Sequence, residues 1–76
     1  MKEVSDLGLV TALIALGYAP RGRSKEGRRV VFLFDSLPEI DEIEENFFNH
    51  NLPIDALTFH STMKSVKQSI YRTEHE

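Results

Sequence analysis

The chain contains no cysteine, which removes disulfides and thiolate metal sites together. That absence matters in a domain of 76 residues, close to the lower size at which one hydrophobic core supports a fold. Natural domains this small often add a covalent staple, a metal or a partner subunit. Of these, oligomerisation stays open. Lack of cysteine also fits a reducing compartment. Long apolar runs are missing as well. The opening "MKEVSDLGLVTALIALG" starts with a lysine and turns apolar as a signal peptide does, but Glu3, Asp6 and Thr11 interrupt it. It is also too short to span a bilayer. The sequence therefore predicts a cytoplasmic protein, compact over 1–76 with an ordered core of about 5–72, and no membrane partner.

Catalytic and cofactor patterns are equally scarce. His50, His60 and His75 are spread over a turn and a helix with no two at i, i+4, so no imidazole pair forms a metal site. The acidic row of 39–45 has no ligand loop beside it. Ser61 directly follows His60, and adjacent helical residues point about 100° apart, which disqualifies them as nucleophile and base. Gly22 and Gly27 flank a hairpin tip rather than opening a helix after a strand, as a phosphate-cradling loop requires. A chain this short is also expected to have little room for the pocket of several hundred cubic ångströms that small molecules occupy. The expectation is a non-enzyme with no cofactor, no metal and no small-molecule substrate.

What is there reads as alternating elements. Ser5 is the expected N-cap of a first helix, with Asp6 in its first turn. Leu7, Val10, Leu13, Ile14 and Leu16 form its apolar face, with Leu9 beside it. Gly17 should close it in the left-handed conformation, bringing Tyr18 back against Leu13. Residues 18–23 read as an extended edge segment because of Pro20. "SKEG" is the expected turn, and strand 28–34 carries apolar side chains on both faces. Such a strand predicts helices on both sides of the sheet or a second molecule on one.

A second helix is expected from "SLPE", where Ser36 and Glu39 have capping-box spacing and Pro38 falls in the first turn. Leu37, Ile40, Ile43 and Phe47 make its stripe. A third starts at Asp55, with a seam of Phe59, Met63, Val66 and Ile70, and the final "TEHE" should fray. The fold class is α+β, in the order α-β-β-α-α, with an antiparallel hairpin packed against helices.

Order and composition together resemble a family. "DLGLVTALIALGY", "RRVVFLF", "EIDEIEENFFN" and the closing "SIY" are similar to small bacterial and phage proteins known as a domain of unknown function, over roughly residues 4–72. The resemblance implies the α+β layout and a bacterial or phage cytoplasm, and no catalytic residues.

Charge supplies the functional lead. Net charge is −3, yet "RGRSKEGRR" is basic and 35–45 is acidic. Arg21, Arg23, Lys25, Arg28 and Arg29, with Phe48 as an off-stripe aromatic, are the candidate interaction surface. Alternation lets at most four of these five cations converge. Two uses follow. One is a protein-binding or self-associating, dimeric module, in which one edge of strand 28–34 pairs with a copy and the arginines of one subunit meet the carboxylates of the other. The alternative is a nucleic-acid accessory protein that presents the hairpin to phosphates, with Tyr18 as a stacking surface.

Overall fold

A computed structural model describes residues 1–74 of the chain. His75 and the end of "TEHE" lie outside the described residues. The elements run β1 (Lys2–Val4), α1 (Leu7–Ala15), β2 (Gly22–Glu26), β3 (Arg29–Phe34), α2 (Pro38–Phe48) and α3 (Ala56–Glu74). Three antiparallel strands are ordered β1-β3-β2.

The α-β-β-α-α order is therefore preceded by a strand that the sequence does not announce. β1 pairs Lys2 with Phe34 and Val4 with Phe32, so β3 is central and has no free edge. The expected open edge of strand 28–34 is corrected accordingly: the exposed edges are β1 and β2. Val4 is buried, so the hydrophobic core takes in a residue of β1.

Helix ends follow local chemistry, with two corrections. Asp6, not Ser5, is the N-cap of α1, and its Oδ1 accepts from the Leu9 amide at 2.9 Å. α2 has Leu37 at the cap without a side-chain bond, so the Ser36–Glu39 box does not form, while Pro38 takes the first helical position as its fixed φ favours. α3 is capped as expected: Asp55 Oδ2 accepts from the amide and the hydroxyl of Thr58, both at 2.8 Å. Those bonds favour the carboxylate and lower the Asp55 pKa.

At the C-terminus of α1, Gly17 has φ +101°. Its amide donates to Ile14 O and that of Tyr18 to Leu13 O, at 3.0 and 2.9 Å, which is the Schellman pattern. α2 ends in the same way, with Asn51 N bonded to Asn46 O at 2.9 Å and His50 N to Phe47 O at 3.2 Å. There the left-handed position is held by His50, at φ 60°.

The core joins Leu9, Val10 and Leu13 of α1, Ile40 of α2 and Val66 of α3 to Val4, Val30, Phe32 and Phe34 of the sheet. All three helices thus feed one cluster on one face of the sheet, which corrects the first of the two expected covers for strand 28–34, helices on both faces. Ile14, Ile43, Phe47 and Ile70 pack around it, partly buried. Phe59 and Met63 are half-buried and lie outside it. Gly8 allows α2 to approach α1: a Cβ there would stand 2.8 Å from the tip of the Phe47 ring. Val31 and Leu33 point to the opposite face, where Val31 is still buried.

Side chains arrange the helices over the strands. Lys2 of β1 bonds to Asp41 at 2.9 Å and Glu44 at 3.0 Å of α2. Arg23 of β2 bonds to Ser69 of α3. With β3 between β1 and β2, the acidic helix stands along one edge of the sheet and α3 along the other.

Candidate interaction surface

The basic segment folds as a tight hairpin. "SKE" belongs to β2 rather than to the turn, and Gly27 and Arg28 alone connect Glu26 to its partner Arg29. Gly27 has φ +64°, and a two-residue loop with glycine first suits the right-handed twist of the strands. This register sorts the five cations. Arg23 lies opposite Phe32 and Lys25 opposite Val30, so both point to the helix side of the sheet. The Arg21 amide donates to Leu33 O at 2.7 Å, and its guanidinium lies 3.4 Å from Asp35. Arg29 points to the other face and pairs with Glu26 at 3.6 Å. Arg28 sits in the turn. Among the described residues, Lys25 and Arg28 form no ion pair.

β2 is exposed at each of its five residues, and as an edge strand it leaves alternate amides and carbonyls directed outward. Between it and α3 runs a groove of about 410 Å³. Ile14, Phe32 and Val66 form an apolar floor. Pro20, Arg21, Gly22 and Arg23 make one wall, and Thr62, Ser65 and Ser69 the other. Arg72 lies three residues beyond Ser69 on the same strip of α3. The expectation that so short a chain lacks room for a cavity of this size is corrected: three helices on one face leave the β2 side of the sheet partly uncovered. Its lining offers guanidinium and hydroxyl donors and neither carboxylate nor imidazole, a set suited to holding an anionic, partly apolar group rather than to moving protons.

Across the sheet is the complementary surface. Asp41, Glu44 and Glu45 of α2 lead, at helical spacing, to Phe48. Phe48 is 53% exposed and meets Phe47 edge to face at 5.1 Å. Hydrogen bonds from Lys2 to Asp41 and then Glu44 hold the lysine's pKa above its ordinary value. Among the described residues, no group of three or more His, Asp or Glu is placed to hold a metal ion.

The structure thus gathers Arg21, Arg23 and Lys25 on one side of β2, sends Arg29 to the opposite face, and sets Phe48 on the far edge. Sequence reading missed the α3 wall: Thr62, Ser65 and Ser69 share one strip of the helix at spacings of three and four, but small polar side chains on an exposed strip are ordinary in themselves. Their meaning comes from the strand opposite.

The architecture defines a small α+β domain with three helices on one side of a three-stranded antiparallel sheet. The chain belongs to the family described as Domain of unknown function (DUF5659), whose model matches residues 2–72. No curated protein and no solved structure matches it. No helix among the described residues is long and apolar enough to cross a membrane.

Proposed function

We propose that the domain is a non-enzymatic protein-interaction module that takes an acidic protein surface at the β2 edge, in the bacterial or phage cytoplasm that the family resemblance implies. One observation carries this reading: Arg21 and Arg23 flank an apolar-floored groove beside an exposed edge strand. Apolar floor and cationic rim together fit a partner that offers an apolar side chain among carboxylates, with outward backbone groups free to add hydrogen bonds. A glutamate-rich peptide containing one tryptophan, titrated against the protein at low and at physiological salt, tests it. Saturable binding that weakens with salt and disappears in Arg23→Glu is the expected result. Equal binding by the variant contradicts it.

A second reading rests on Lys25 and Arg28, which have no carboxylate partner among the described residues and crown the hairpin. On that reading the tip contacts nucleic-acid phosphates. It requires binding to a labelled duplex or single strand with a steep salt dependence, lost in Lys25→Glu with Arg28→Glu and retained in Arg23→Glu.

A further inference from the structure

We propose that the acidic surface received at the β2 edge is that of a second copy of this chain, with Phe48 of one copy entering the groove between β2 and α3 of the next. The proposal rests on the reading of the β2 edge as an acid-binding surface and names its partner.

Both halves of the contact are present on each molecule. The groove has an apolar floor and arginines on its wall. Phe48 is a half-exposed aromatic ring one turn beyond Glu44 and Glu45. Such a ring carries much contact area, and the groove lies within the roughly 300–1,000 Å³ typical of ligand pockets. The two surfaces cannot meet within one molecule. Lys2 ties the acidic helix to β1, Arg23 ties α3 to β2, and β3 separates them.

Complementary patches on opposite edges have a consequence for symmetry. A contact that uses one patch from each molecule is heterologous, and it leaves a free groove at one end and a free Phe48 at the other. Association then grows head to tail instead of closing as a two-fold dimer. Neighbouring carboxylates over Arg21 and Arg23 make the contact salt-sensitive.

Mixing two variants tests this. Arg23→Glu spoils the groove and keeps Phe48; Phe48→Ala removes the ring and keeps the groove. Both positions are exposed, and circular dichroism melts check each fold. Ser65→Trp, which fills the groove, serves as an independent groove-blocked variant. By sedimentation velocity, wild type is expected to show a mean mass that rises with concentration and falls with salt. Each variant alone should stay monomeric. A mixture of Phe48→Ala with either groove variant should form a heterodimer that grows no further. Wild type that remains monomeric to millimolar concentration, or Phe48→Ala that associates like wild type, overturns the proposal. If the glutamate-rich peptide still binds in an Arg23-dependent manner, that failure is of the second-copy partner alone. If it does not, the acid-binding edge falls as well.

Discussion

The guanidinium of Arg23 donates a hydrogen bond to the hydroxyl of Ser69, residues 46 apart in sequence. This contact joins the edge strand to the last helix between residues that line the groove together with Phe32 and Val66. Both partners are solvent-accessible, so its contribution to stability is small, while its place on the groove wall gives it weight in binding. Arg23→Ala should therefore change the unfolding free energy by less than about 1 kcal/mol and sharply weaken binding of the acidic peptide. Chemical denaturation alongside the titration separates the two effects.

β1 is three residues long, yet Val4 is 3% exposed and packs in the main cluster. Val4→Ala should cost on the order of 1–3 kcal/mol. Removing the first four residues should lower the thermal midpoint further, because β3 then loses its neighbour along one edge. A truncated chain that melts like the full one would show that the strand contributes nothing.

Ile40 and Ile43 share the apolar stripe of α2 but differ in burial. Ile40 is 1% exposed, and Ile43 only packs against the cluster from its margin. Ile40→Ala should cost about 2–5 kcal/mol. Ile43→Ala should cost clearly less, and urea denaturation of the two variants ranks them.

His50 holds the left-handed position that ends α2, a conformation costing a side chain roughly 1–2 kcal/mol relative to the right-handed region. Glycine adopts it without a Cβ penalty but gives up more chain entropy on folding. His50→Gly should stabilise the domain by about 0.5–1 kcal/mol, the residue of these opposing effects. A lower midpoint would mean that the imidazole makes a compensating contact.

Two ionisable groups shape the pH dependence in opposite senses. The Lys2 pKa is raised by its bonds to Asp41 and Glu44. Its stabilisation is complete below the ordinary lysine value and is lost as pH rises through the higher folded value. Asp55 is lowered by its bonds to Thr58. Its contribution is present above the ordinary aspartate value and disappears as pH falls through the lower folded value. Thermal melts of Lys2→Met should thus converge on wild type at strongly alkaline pH, and those of Asp55→Ala at strongly acidic pH.

Strong local signals were legible in the sequence. Gly17 followed by Tyr18 announced the Schellman ending, and Asp55 announced the start of α3. β1 was not, since "KEV" becomes a strand only by pairing with Phe32, Leu33 and Phe34, some thirty residues away. The hairpin turn was misread because "SKEG" is rich in turn formers, whereas the twist of the paired strands selected the shorter Gly27–Arg28 connection. Among the site residues, the cations were legible from composition. The groove was not, because it arises from the distance between β2 and α3, which no local pattern encodes.

The most direct test of the acid-binding edge is the set of amide chemical-shift changes in isotope-labelled protein as the glutamate-rich peptide is added at low salt. Changes are expected to concentrate at residues 21–25 of the edge strand and at Thr62, Ser65 and Ser69 across the groove, and to be lost in Arg23→Glu. Changes centred on Val31 and Leu33 of the opposite face, or no changes at all, would contradict it.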